Sequence, residues 1–217
     1  MKLVLTSAGI TNKSIAQAIL ELAGFKASEI KLAFIPTAGN IIADDKSWII
    51  DDLKHFQEQG YKSIDIVDIK ALPKEVWLPR LVDANVLCFG GGDEQYLAKA
   101  LIETSLKNIL QNLLKDRLYM GISAGSMVAG QFLIPELLDI VYPNNNFGDK
   151  LEPSLGYVDI NFIPHLNSPS FPNTRKETIE KCKSKLKYPL YAMDDQSALK
   201  IIDNNIEIIS EGNYLKI

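Results

Sequence analysis

The chain has 217 residues, 47% of them apolar and 23% charged, the composition of a folded globular protein rather than a disordered one. At this length a chain buries roughly 70% of its unfolded surface and needs no metal or disulfide staple. A net charge of −4 argues against nucleic acid as a partner, because phosphate binding needs clustered Lys and Arg.

Met1 to Ser7 form an apolar run too short for a signal-peptide core and read as a first strand. No run of 18 apolar residues occurs, so no membrane span is expected. The two cysteines, Cys88 and Cys182, are too far apart for a C-x-x-C motif, and both are expected to stay reduced in a cytoplasm. Further strands are predicted over 31–36, 63–68, 85–89 and 118–122, with helices over 13–23, 45–59, 74–83 and 94–115 between them. In the second helical stretch Trp48, Ile49, Leu53 and Phe56 recur at helical spacing, with Asp51, Asp52, Lys54 and Glu58 on the other side. Beyond Phe132 the pattern loosens. Residues 142–153, with three consecutive Asn, Gly148 and two prolines, read as a loop. A strand over 158–163, a helix over 173–186 and strands over 190–193, 198–202, 207–210 and 214–217 complete the pattern, with Asp203-Asn204-Asn205 as a hairpin turn. This alternation predicts a single domain over 1–217: a three-layer α/β/α, doubly wound, mostly parallel sheet. Ligands in such sheets bind at the carboxyl ends of the strands, which singles out the loops after Phe89, Ile122 and Ile163.

The strongest motif is Gly121-Ile122-Ser123-Ala124-Gly125, a full G-x-S-x-G between an apolar strand and a helix start rich in small residues. Such a turn lifts the Ser123 hydroxyl above the sheet and leaves the first helical amides free to meet negative charge. A second signal is Phe89-Gly90-Gly91-Gly92-Asp93-Glu94. Its glycines admit a close approach to backbone amides, but the spacing fits neither a dinucleotide fingerprint nor a phosphate P-loop, and an oxyanion hole suits it better. His55 sits in an amphipathic helix and reads as a surface or boundary residue, whereas His165 follows a strand directly after Pro164. A serine needs a base to act as a nucleophile at neutral pH, and His165 is the candidate. Two separated histidines and two separated cysteines offer no metal-ligand spacing, so neither metal nor cofactor is expected.

Phe89–Glu94, Gly121–Gly125 and Ile163–His165, in this order and on these elements, resemble the serine peptidases of the peptidase E group (alpha-aspartyl dipeptidases). These are relatives of cyanophycinase in the class I glutamine-amidotransferase-like fold. The resemblance implies Ser123 as nucleophile and His165 as general base, with the amides of Gly91, Gly92 and Ala124 forming the oxyanion hole. Asn173-Thr174-Arg175-Lys176-Glu177 resembles a segment whose arginine holds the substrate's N-terminal aspartate, which implies a substrate-binding role for Arg175. Asp93 is placed with it, where the family's glycine run usually continues with asparagine. For the third triad member the first choice is Asp139, in the window that also holds Glu136. The rival is Asp194 or Asp195 on a turn after a late strand.

The expected protein is therefore a serine peptidase for short peptides, down to dipeptides with N-terminal Asp, working as a monomer or homodimer. A cyanophycinase-like amide or isopeptide hydrolase and a non-catalytic ligand-binding member of the same fold are the alternatives. A glutamine amidotransferase is disfavoured, since the turn carries serine where such enzymes carry cysteine.

Overall fold

The computed structural model describes residues 1–131, 134–143 and 151–217. Its N-terminal half is a run of crossovers: β1 (Lys2–Thr6), α1 (Lys13–Ala23), β2 (Lys31–Ile35), α2 (Thr37–Asn40), α3 (Ser47–Glu58), β3 (Ser63–Ile66), α4 (Lys74–Asp83) and β4 (Val86–Phe89). There follow α5 (Glu94–Glu103), α6 (Leu106–Leu113), β5 (Leu118–Ile122), α7 (Ala124–Ala129), α8 (Pro135–Val141) and β6 (Asn161–Ile163). The chain ends with α9 (Lys176–Glu180), β7 (Leu190–Met193), β8 (Ser197–Ile202), β9 (Asn205–Ser210) and β10 (Tyr214–Lys216).

Seven strands form the main sheet in the order β3-β2-β4-β5-β1-β8-β9. The first five run parallel, and β8 and β9 close one edge antiparallel. The central strands read as unbroken apolar runs because both faces are covered. In β1, Leu3 and Leu5 face one core and Val4 the other; in β4, Leu87 and Phe89 oppose Val86 and Cys88. The predicted α/β class, a mostly parallel sheet between helical layers, is the one observed.

A second, three-stranded sheet of order β10-β7-β6 stands apart from the first. Alternation predicts these strands but not their partners, and the chain passes between the two sheets at Asp194–Gln196, from β7 into β8.

Local chemistry explains where the predicted elements shift. The single helix expected over 94–115 divides into α5 and α6, because Ser105 takes a left-handed conformation (φ 61°). At this break the Thr104 hydroxyl bonds back to the Ala100 carbonyl. The helix expected over 173–186 is reduced to α9 and one 3-10 turn at Lys183–Lys185. Residues 37–40 and 135–141, left unassigned by periodicity, form the short helices α2 and α8. Most of the predicted 142–153 loop, including its three asparagines and Gly148, lies outside the described residues. Among the described residues no helix is long and apolar enough to cross a membrane, and no group of three or more His, Cys, Asp or Glu is placed to hold a metal ion.

Candidate active site

The carboxyl ends of β4, β5 and β1 lie side by side, and the loops leaving them converge. At the end of β5 the chain turns into α7 within one residue, and Ser123 takes φ 48° and ψ −108°, a strained conformation for a residue with a side chain. The surroundings hold it there. Ser123 N–H donates to the Thr6 carbonyl (3.0 Å), as does the Ser126 hydroxyl (2.7 Å), and the Tyr119 hydroxyl donates to the Gly125 carbonyl (2.7 Å). The two glycines of the motif are steric requirements. A Cβ on Gly121 would meet Ser126 N at 2.7 Å, and one on Gly125 would run into the Phe89 carbonyl. With the Ser123 carbonyl already accepting from Ser126 and Met127, the Ala124 amide lies in the first turn of α7, where helical amides have no partner within the helix.

Across the turn, His165 Nε2 lies 3.0 Å from Ser123 Oγ, and His165 Nδ1 lies 2.7 Å from Asp195 Oδ1. His165 itself has φ 61° and follows β6 of the small sheet. Its ring is stacked face to face on Phe171, with centroids 4.1 Å apart and planes 8° from parallel. Burial pushes the Asp195 carboxyl up, but hydrogen bonds from His165, Ser7 and Ser168 outweigh it and leave this acid below the ordinary carboxylate value. Asp195 therefore stays ionised opposite the imidazole, where it can orient Nδ1–H and stabilise an imidazolium. A histidine so held can take a proton from the serine hydroxyl and return it to a leaving group.

The carboxylate on the imidazole is thus Asp195, the rival from the late turn, and not Asp139. Asp139 is exposed on α8, whose inward positions are Leu137, Leu138, Ile140 and Val141. Glu136, on the same helix, pairs with Lys185. The two adjacent acids of the late turn divide the work. Asp194 Oδ1 accepts from the Ser197 hydroxyl (2.6 Å) and Gln196 N–H (3.0 Å), which folds the turn and leaves Asp195 to face the ring.

Sequence reasoning passed over Ser7. This serine, fully buried after β1, donates to Asp195 Oδ1 (2.8 Å) and accepts His165 N–H (2.7 Å), so one hydroxyl fixes both the acid and the backbone of the base. Thr11, in the same loop, donates to the Asp195 carbonyl at 2.6 Å. The available signal was position, since Thr6-Ser7 are small polar residues at the carboxyl end of a central strand.

The glycine run lies on the other flank. Gly92 has φ 133°, and a Cβ there would run into the backbone of Ala38, so the loop lies hard against α2. Asp93, expected near substrate, caps α5 by accepting Tyr96 N–H at 2.8 Å. Next to it Glu94 is fully buried, and desolvation raises its carboxyl to about 7. Arg175 is the residue before α9, not inside it. Its guanidinium donates to the carbonyls of Ser168 (3.1 Å), Phe171 (3.0 Å) and Thr174 (3.0 Å), which braces the loop that carries Phe171 onto the imidazole.

A family model described as Peptidase family S51 matches residues 3–209. The chain belongs to peptidase family S51. It is a serine peptidase by that membership, and its fold is shared with solved structures. One is the 1.5 Å crystal structure of a "putative peptidase E protein" from Listeria monocytogenes EGD-e, 20% identical, with a TM-score of 0.74, covering 97% of this chain and 98% of that one. Another is a peptidase from an acI-B1 Actinobacterium, 19% identical, with a TM-score of 0.66, covering 100% of this chain and 96% of that one. No curated protein matches this S51 peptidase.

Proposed function

We propose that this S51 peptidase cleaves short peptides by acyl transfer, with Ser123 as nucleophile, His165 as general base and then acid, and Asp195 as the orienting carboxylate. The observation that carries this reading is the continuous chain of contacts Ser123 Oγ–His165 Nε2 at 3.0 Å and His165 Nδ1–Asp195 Oδ1 at 2.7 Å. The Ser123 hydroxyl attacks the peptide carbonyl while its proton passes to Nε2. The oxyanion then collects hydrogen bonds from the amides of Ala124 and of the Gly91–Gly92 run. Collapse of this intermediate expels the amine, which takes the proton from Nε2, and water releases the acyl group by the same steps in reverse order. The reduced, buried cysteines Cys88 and Cys182 support a cytoplasmic setting. A fluorophosphonate probe tests the reading: one equivalent of label is expected on Ser123, and an enzyme that takes no label would contradict it.

The finer form of the proposal is a dipeptidase that prefers N-terminal Asp. A guanidinium carries five N–H groups, and Arg175 spends three hydrogen bonds on loop carbonyls, so donors remain for a carboxylate beside the loop that bears His165. If Arg175 meets that carboxylate, Arg175→Lys should lower the preference for Asp-Leu over Ala-Leu in kcat/KM by about ten- to a hundredfold, the worth of a charge-assisted contact. An unchanged ratio with both rates reduced would leave Arg175 as a brace for the loop and nothing more.

A further inference from the structure

The glycine run is tied down at its two ends and left open in the middle. Gly90 N–H donates to the Ile35 carbonyl and Asp93 N–H to the Ala38 carbonyl, each at 3.0 Å. Between them, the N–H groups of Gly91 and Gly92 meet no acceptor among the described residues. A Cβ built on Gly91 would lie 3.5 Å from Ser123 Cβ, so this open stretch runs past the nucleophile. Consecutive glycines could turn such amides in many directions, and a fixed φ of 133° at Gly92 needs an outside restraint.

Tyr142, at the end of α8, supplies one. Its hydroxyl donates to the Gly92 carbonyl at 3.2 Å and lies 3.5 Å from Met127 Sδ on α7. The Glu94 N–H faces the same oxygen. Burial pushes the ionisation of this phenol well above its ordinary value, and the charges of Glu94 and Asp93 add to the rise, so the hydroxyl keeps its proton and remains a donor. With Asp93 N–H on Ala38, the peptide group between Gly92 and Asp93 is held at both its oxygen and its nitrogen. The freedom that the missing Cβ gives Gly92 is thereby removed. We infer that Tyr142 is a positioning residue for the oxyanion hole, holding the glycine run from α8 so that the Gly91 and Gly92 amides stay presented to the oxyanion. This inference rests on the acyl-transfer reading proposed above. Because the same hydroxyl touches α7, whose first turn carries the Ala124 N–H, one oxygen spans both arms of the hole.

The test is the rate of fluorophosphonate labelling. Ser123 Oγ attacks phosphorus, its proton passes to His165 Nε2 and fluoride leaves, while the phosphoryl oxygen occupies the oxyanion hole. Tyr142→Phe removes only the hydroxyl and keeps the ring packed against the core. It should lower the maximal labelling rate about ten- to a hundredfold, less than the loss on deleting a donor outright. The reagent concentration at half-maximal rate should stay within about threefold, since the hydroxyl acts on the transition state and not on binding. The acid-side pH midpoint of labelling, which reports His165, should move by less than about 0.3. In the unmodified enzyme, where no variant has to fold, phosphonylation should slow hydrogen exchange at the Gly91 and Gly92 amides at least about tenfold, because both gain an acceptor. Equal labelling rates for Tyr142→Phe and the unmodified enzyme would overturn the inference. So would a slower rate with a shifted pH midpoint, which marks damage to the Ser123–His165 pair, or Gly91 and Gly92 amides that exchange as fast after labelling as before. An unmodified enzyme that takes no label overturns the acyl-transfer reading instead, so the two failures are told apart.

Discussion

Ser123→Ala is expected to lower peptide hydrolysis by about 10⁴-fold or more, His165→Ala by a similar factor, and the double variant scarcely further. The reason is that the pair acts as one unit. Without the hydroxyl the imidazole 3.0 Å away has no proton to take, and without the imidazole the hydroxyl stays a weak nucleophile. What survives in either case is binding and whatever the oxyanion donors contribute. Neither side chain belongs to the apolar core, so the melting temperature should move little. Product formation from a dipeptide, followed by chromatography alongside thermal denaturation, gives both numbers. Appreciable turnover by Ser123→Ala would remove the nucleophile assignment, and a strictly additive double variant would mean that the two residues act in separate steps.

Asp195→Asn is expected to cost about 10³- to 10⁴-fold in kcat with the structure intact. An amide nitrogen opposite Nδ1 favours the tautomer that carries its proton on Nε2, and that nitrogen then cannot accept the Ser123 proton. Because the hydrogen bonds on Asp195 hold its carboxyl below the ordinary range, this acid stays ionised as pH falls, and the acid-side loss of rate is not set by it. Asp139→Asn, on the exposed face of α8, should change kcat by less than about twofold, as surface substitutions remote from the site usually do. Asp194→Asn belongs between them, since it weakens the turn that presents Asp195 without touching the ring. A ranking with Asp139 as the costly position would falsify the geometric assignment.

The parallel strands and the turn at Ser123 were legible because each has a local cause. Apolar runs such as Lys2–Thr6 and Leu118–Ile122 are long enough to mark buried strands, and Gly121 and Gly125 stand where a side chain would strike the neighbouring backbone. His165 was legible as a candidate by scarcity. The acid was not, because its role depends on which sheet β7 joins, and strands of three or four residues carry no record of their partners. The expected acid is therefore Asp139, although the carboxylate arrives from a turn thirty positions after His165. Arg175 was legible as a cation near the site, but not as one whose donors are turned onto three carbonyls of its own loop.

The acid sits on the short stretch where the chain leaves the small sheet and enters the large one, while its hydroxyl partner, Ser7, follows the very first strand. β8 also pairs with β1, Lys2 opposite Ile202 through Thr6 opposite Ala198. The candidate site is therefore assembled from segments far apart in sequence and is finished only when β8 docks against β1. With β8 undocked from β1, Ser123 and His165 lack the Asp195 carboxylate that stands 2.7 Å from the ring in the folded structure. The topology ties completion of the candidate site to completion of the main sheet, a coupling between folding and site assembly that no single element provides.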